Sequence, residues 1–345
     1  IDVDQQQHDY QIMFTKVREV YLDNTFSSGN LEDFFGSSLQ ESFNYEFSWF
    51  PSSSLFVFTS NGGLGEYNIF IGSVKENDPE LLNLIDFLHP KKFNKYFMLT
   101  EEIKKDGQAK VSPDGTQLVY TSGRTGNGDL YLLDLVTGNH RRLTYSDNTD
   151  FYPRWSPDSK EIVYTSGNEH SHDIHVIRDV GGADEHDQVL VSWFFDDVLP
   201  KYSPDGKKIS FYTTYNLEGD PFNTRRWGLM IIPSDGSAPK KGEELIDYFH
   251  IPNVIKDNYQ ATAWFPDSRH IIYAKNIDSD YNPIYIYNTR TREERYINTR
   301  TSINHDVTVS THGLVSFRAQ YLGWDRIYIA NTTYFQEYLR KKYGN

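Results

Sequence analysis

The chain has 345 residues and no cysteine. Disulfides, thiolate metal ligands and cysteine nucleophiles are therefore excluded. No apolar run approaches the length of a membrane span. Positive charge is in short supply: 34 Lys and Arg stand against 48 Asp and Glu, for a formal net charge of −14. The basic residues are scattered, and their densest groups, Arg225-Arg226 and Arg340-Lys341-Lys342, are short. A nucleic-acid binder usually shows a basic patch or stripe, so nucleic acid and anionic membrane are disfavoured as partners. The common catalytic signatures are also missing. There is no Gly-x-Ser-x-Gly elbow and no His-Glu-x-x-His. Gly62-Gly-Leu-Gly65 leads into a strand pattern rather than a helix, so it makes no phosphate cradle. The chain starts at Ile1 rather than Met, and the expectation taken from this is a removed export signal.

What is abundant is aromatic residue, at 15% of the chain, a composition that suits strands. The 23 Gly and 14 Pro are spread along the chain, as in many short strands joined by turns. The stretch from Asp150 to Ser166 shows the unit: a strand ending at Trp155, a turn at Ser156-Pro157-Asp158-Ser159, and a second strand through Ile162 and Tyr164. Pro157 presets the turn and cannot donate into a ladder.

The unit recurs. Its turn positions are Pro51, Pro113, Pro157, Pro204, Pro266 and Thr311. Most spacings approach the roughly 40–45 residues of a four-stranded propeller blade, and two are longer. Two residues before each turn position stand Trp49, Val111, Trp155, Tyr202, Trp264 and Val309; seven after the first five stand Phe58, Tyr120, Tyr164, Phe211 and Tyr273. A third strand follows at Ile69, Leu130, Ile174, Leu229, Ile284 and Ile327, and a fourth is visible at His140–Thr144 and Glu294–Ile297. The expected fold is all-β: a six-bladed β-propeller of four-stranded antiparallel blades over residues 46–330. An N-terminal segment, residues 1–45, supplies the strand Gln11–Val17 that closes the ring, because an open ring would leave sheet edges exposed. Residues 331–345 form a short C-terminal helix. A further helix is expected at Asp78–Leu88, a compact helix or loop at Leu31–Leu39, and loops at Lys240–Lys256 and Tyr215–Trp227.

The motif Val111-Ser-Pro-Asp-Gly-Thr-Gln-Leu-Val-Tyr-Thr-Ser122, with Gly128-Asp-Leu-Tyr-Leu-Leu-Asp134 and Arg142-Leu-Thr144, closely resembles the WD40-like PD40 repeat of TolB-type propellers. Trp155-Ser-Pro-Asp158 and Tyr202-Ser-Pro-Asp-Gly206 match it equally well. The resemblance covers roughly residues 45–330 and departs most in the first and last copies. It implies a periplasmic, cell-surface or secreted scaffold that binds a protein partner, or joins an envelope complex, at one mouth of the channel. It implies no activity of its own, because unrelated functions share this fold.

Seven residues before each turn position lie Asn44, Asp106, Asp150, Asp197, Tyr259 and Asn304. Each is expected at the start of an innermost strand, at the channel mouth. The plain reading is that these groups shape their own turns. The sharper one is a ring of carboxylates and amides that meets a partner, or that holds Ca²⁺ through Asp150 and Asp197, since this ion takes hard oxygen ligands. The motifs require no cofactor. Arg225, Arg226, Trp227, Tyr281, Arg318, Tyr321 and Trp324 fall in links between strands and are candidate partner anchors, as Arg and aromatic residues usually are. His170 and His172 form an alternating pair that suits a metal, but both are expected to be solvated; His175 takes the place of a packing tyrosine. Asp278-Ser-Asp-Tyr-Asn282 opens like a calcium loop but lacks its Gly and closing Glu. A non-catalytic scaffold is the reading preferred. The alternative is a carbohydrate-binding propeller, or one resembling oligosaccharide lyases, with a metal in its funnel.

Overall fold

A computed structural model of the chain describes residues 16–19, 44–51, 53–60, 66–93, 96–100, 105–168, 171–193, 195–215, 227–237, 249–256, 262–277, 281–321 and 324–343. It is a six-bladed β-propeller of antiparallel sheets. The chain divides into two compact units, residues 22–202 and residues 1–21 with 203–345.

Blades two and three run from the innermost strand outward as Asp106–Val111, Gln117–Ser122, Asp129–Asp134, His140–Arg142 and Thr149–Trp155, Ile162–Gly167, His172–Arg178, His186–Val191. Blade four follows as Asp197–Tyr202, Lys208–Thr213, Trp227–Pro233 and Phe249–Val254, so the expected loop at Lys240–Lys256 contains a fourth strand. Blade five is Ala263–Trp264, His270–Ala274, Ile284–Asn288 and Glu293–Ile297. Blade six has Asn304–Val309, Val315–Tyr321 and Trp324–Asn331, and takes its fourth strand, Lys16–Glu19, from the N-terminus. Lys16 pairs with Asn331 and Glu19 with Tyr328. The expected strand began at Gln11; Gln11–Thr15 lie outside the described residues, as do Leu31–Leu39 and residues 216–226 of the long link.

Blade one is the exception in number. Its sheet has five strands, because the fourth, Tyr96–Met98, also pairs with Lys91–Phe93. Before this hairpin comes the expected helix, Pro79–Leu88. Asp78 caps it, accepting from Glu80 N at 3.1 Å and from the Ser73 hydroxyl at 2.6 Å. Pro at the first helical turn lacks the N–H that would be unpaired there. Leu81 is buried, and Leu84, Ile85 and Leu88 pack against the core shared by blades one and two.

The second and third strands put matched large side chains opposite each other: Phe58–Phe70, Tyr120–Tyr131, Tyr164–His175, Phe211–Met230, Tyr273–Tyr285 and Phe317–Tyr328. His175 thus stands where four of the other blades carry Phe or Tyr and blade four carries Met230. The buried second-strand tyrosines reach a polar group on the fourth strand. Tyr120 Oη lies 2.8 Å from His140 Nδ1, Tyr164 Oη donates to Asp187 at 2.9 Å, and Tyr273 Oη donates to Glu294. A buried phenol needs such a partner.

The C-terminal helix Thr333–Tyr343 docks on blades five and six. Tyr334 Oη donates to Asp267 at 2.7 Å, and the rings of His312 and Tyr338 stack at 3.7 Å.

Candidate functional site

The innermost strands have two differently built ends. At the turn end the recurrent serine and aspartate close a local network. Ser112, Ser156 and Ser203 each donate to the aspartate two residues on, at 2.6 Å. Their hydroxyls also accept the backbone N–H five residues on, from Gln117, Glu161 and Lys208, at 2.9–3.0 Å. The fourth turn residue is left-handed in blades two to six: Gly115, Ser159, Gly206, Ser268 and Gly313 all have positive φ.

At the other end every described innermost strand of regular length carries a left-handed residue that is not glycine: Glu46, Gln108, Tyr152, Leu199 and Asp306. The pairing register slips here, between Tyr45 and Ser48, Gly107 and Lys110, Phe151 and Arg154, and His305 and Thr308. These are β-bulges, which break the ladder locally and redirect side chains. Neighbouring blades supply the acceptors that a bulge removes. Gln108 N donates to Glu46 Oε2 at 2.8 Å, and Tyr152 N donates to Gln108 Oε1 at 2.6 Å. In the next blade the N–H of Leu199 turns to Thr165 Oγ1, at 3.3 Å, since tyrosine at 152 offers no carbonyl.

Asp106, Asp150, Asp197 and Asn304 lie where they were expected, at the start of these strands, but each is 0% exposed. Asp106 N donates to Tyr67 O at 2.8 Å and Asp150 N to Gly128 O at 2.7 Å, which ties each strand to the preceding blade. Asp106 has Arg124 at 3.6 Å, Asp150 accepts from Ser146 at 3.4 Å, and Asn304 donates to Asn282 O at 2.7 Å. Burial raises the pKa of Asp150, against the hydroxyls of Ser166 and Thr144. Among the described residues no group of three or more His, Cys, Asp or Glu converges to hold a metal ion. Asp150 and Asp197 on separate blades do not make the six to eight oxygens that calcium asks for.

Of the link residues, Trp227 begins the third strand of blade four and carries Lys256 over its ring at 4.9 Å. Tyr281 is 41% exposed. Arg318 pairs with Asp306 at 2.9 Å. Tyr321 and Trp324 end and begin the second and third strands of blade six and are paired in register. Tyr259, Arg225, Arg226 and His170 lie outside the described residues. His172 is not in a link but opens the third strand of blade three. Its Nδ1 lies 2.7 Å from Asp196 Oδ1, and its ring meets Phe151 edge-on at 5.4 Å.

His172 also lines a cavity of about 710 Å³ that opens where the innermost strands of blades two and three begin. Lys105, Gln108, Thr149, Phe151 and Asn168 share that wall. Phe151 gives it an apolar floor, and the amides and Lys105 give it directional polar groups, the usual makeup of a binding pocket.

A second feature is absent from any motif. Three residues before the turn position, blades two, three and four carry Lys110, Arg154 and Lys201. Each is partly exposed, while its neighbours Val111, Trp155 and Tyr202 are buried. Burial pushes Lys110 down to about 7, helped by repulsion from Arg154 and Lys201 and opposed by Glu46. Burial, then Arg154, lowers Lys201 to about 8, and burial lowers Arg154 to about 10. Burial raises Glu46, against the attraction of Lys110 and Arg154. In sequence these cations read as scattered; aligning the column three before the turn would have found them.

The PD40 family model, described as the TolB β-propeller domain, matches residues 87–236, from the last strands of blade one to the third strand of blade four. Among solved structures, TolB from Acinetobacter baumannii is similar at 17% identity over 73% of this chain and 53% of its own, with TM-score 0.51. In fold, the protein is a TolB-like six-bladed β-propeller. It spans about half the length of that TolB. The β-propeller domain of the Trilobed protease from Pyrococcus furiosus is similar at 14% identity, covering 84% of this chain and 82% of that one, with TM-score 0.51. A prolyl endopeptidase is similar at 12% identity over 97% of this chain and 47% of that one, with TM-score 0.55. At these identities the likeness is one of fold. No curated protein matches the chain.

Proposed function

We propose that this TolB-like propeller is a non-catalytic scaffold of the bacterial cell envelope that takes a protein partner at the end where its innermost strands begin. The cavity of about 710 Å³ at that end carries the reading. It sits on rigid strands and is walled by links between second and third strands, at Gly123–Gly128 and at Gly167 and Asn168. Loops held by a rigid scaffold are where binding concentrates. Phe151 would be the apolar anchor, with Lys105, Asn168 and His172 as polar contacts. No helix among the described residues is long and apolar enough to cross a membrane.

The test uses Thr149→Arg with Lys105→Glu. Both side chains are exposed, so folding tolerates the change while the pocket is filled and its charge reversed. Affinity capture from native envelope extract should return a defined partner with the unaltered chain and lose it with the variant, at equal melting temperature. Identical capture by both proteins would overturn the reading.

A further inference from the structure

We propose that blade three is a pH-sensitive wall of the cavity: the hairpin of its second and third strands is held most firmly while the acidic row across it, Asp150 and Asp173, is protonated, and it loosens as that row becomes charged. The proposal rests on the cavity being the binding site and adds how that site is regulated.

Strand register sets the row. In blade three Asp150 pairs with Ser166 and Ser166 with Asp173, so the three side chains share one face. Blade two has the same row in Asp106, Ser122 and Asp129, and blade one an uncharged version in Asn44, Ser60 and Asn68. Blade two answers its acids with two arginines. Arg142 donates to Asp129 at 2.9 Å; Arg124 donates to Ser122 Oγ at 2.8 Å and lies 3.6 Å from Asp106. Blade three has neither. Two residues after the row serine, where blade two has Arg124, stands Asn168. Opposite His175, where Arg142 stands opposite Tyr131, is Val189.

The acids of blade three are short of partners. Asp150 is 0% exposed, and among the described residues its Oδ1 and that of Asp173 are buried without a hydrogen bond. Hydroxyls serve the second oxygens: Ser146 donates to Asp150 at 3.4 Å and Ser192 to Asp173 at 3.1 Å. Burial raises both carboxyls above the ordinary 3.8, against these and neighbouring hydroxyls and the attraction of His175. His175 lies on the same face, two residues along from Asp173; its Nδ1 is 3.0 Å from the half-exposed Asp187, which also accepts from Tyr164. The other charged groups near the row are His172, beside Asp173, and Asp129 of blade two, which Arg142 holds. A carboxyl raised in the folded state stabilises the closed hairpin at low pH, and that contribution is lost as pH rises through the raised value. Histidine loses its charge near neutrality, which withdraws the attraction of His175, so both steps act in the same direction. The effect reaches the cavity directly, because its wall residues Gly167 and His172 adjoin Ser166 and Asp173.

The experiment is hydrogen exchange of the full chain, read by mass spectrometry between pH 4.5 and pH 7.5 and corrected for the intrinsic exchange rate. Protection over residues 162–178 should fall by about threefold or more across this range. Protection over residues 117–134, the arginine-held hairpin of blade two, should fall by clearly less, and this comparison within one protein needs no variant. Asp173→Asn should flatten the blade-three slope. Val189→Arg, at a position 50% exposed on the outer strand, puts a guanidinium where blade two has Arg142 and should raise protection at pH 7.5 toward its value at pH 4.5. Equal slopes in the two hairpins, or a blade-three slope that both variants leave intact, overturns the proposal. Because no partner is present, failure here leaves the partner reading standing, and failure of affinity capture at fixed pH leaves the pH response standing.

Discussion

The two ends of the innermost strands solve the same problem in opposite ways. At both, a left-handed residue breaks the ladder and frees backbone groups. At the turn end the blade satisfies these groups itself, through Ser156 and Asp158 and their counterparts. At the bulge end the satisfying group belongs to the previous blade: Glu46 serves Gln108, and Gln108 serves Tyr152. The turn end is therefore a local structure repeated, whereas the bulge end exists only once blades are assembled. The cavity is at the assembled end.

The largest expected effect tests that dependence. Gln108→Leu removes the acceptor for Tyr152 N and for the Thr121 hydroxyl, which reaches the same oxygen at 3.2 Å. Two half-buried donors lose their partner, which costs about 1–3 kcal/mol. Urea unfolding should show the loss. Ser156→Ala breaks the turn network but leaves Lys160 N its bond to Asp158 at 3.2 Å and water nearby, so it should cost about 1 kcal/mol. If Ser156→Ala proves the more damaging, the contrast between the two ends is wrong.

This contrast also explains what was legible. The Ser-Pro-Asp turn, the aromatic pairs and the capped helix at Pro79 are local or periodic patterns, and reading them produced six blades and a closing N-terminal strand. The fourth strands His186–Val191 and Phe249–Val254 were harder, because outer strands face solvent and HDQVLV carries little apolar alternation. The acids at 106, 150 and 197 were found by alignment, but alignment does not report burial. The packing of the link Gly128 and of Tyr67 over them is a tertiary fact. Lys110, Arg154 and Lys201 are apart in sequence and share one position on three consecutive innermost strands.

A smaller effect should appear in the pH dependence of stability. The folded pKa of Lys110, about 7, and that of Lys201, about 8, lie below the 10.5 of an unperturbed lysine. The unfolded chain then binds these protons more tightly, so their contribution to stability is least favourable below about pH 7 and improves as pH rises toward 10. Urea midpoints from pH 7 to 9.5 should carry this rising component, and Lys110→Met with Lys201→Met should remove it. Above pH 10 the trend reverses. Burial, reinforced by nearby carboxylates, raises Tyr164, Tyr202 and Tyr273 above the ordinary phenol range, and stability from such groups is lost once the unfolded tyrosines ionise. A double variant that keeps the full slope below pH 9.5 would remove the lysines as its cause.

The smallest effect is at Ser159, where the two strategies meet. Glycine fills this turn position in blades two, four and six, and serine fills it in blades three and five. Serine at positive φ is strained by about 1 kcal/mol, so its presence needs a reason. Its hydroxyl accepts Asp114 N from blade two at 3.1 Å, just as Ser268 of blade five accepts Asp205 N from blade four at 2.8 Å. These serines are the points where the turn ring too is stitched from blade to blade. Ser159→Gly relieves strain but loses the bond and adds unfolded-state entropy, so it should change stability by no more than about 0.5 kcal/mol. Ser159→Ala keeps the strain and loses the bond, and should cost about 1 kcal/mol. The hydroxyl matters only if alanine is worse than glycine and the parent is better than alanine. Parent and alanine variants of equal stability would make the serine incidental and leave the turn end wholly local.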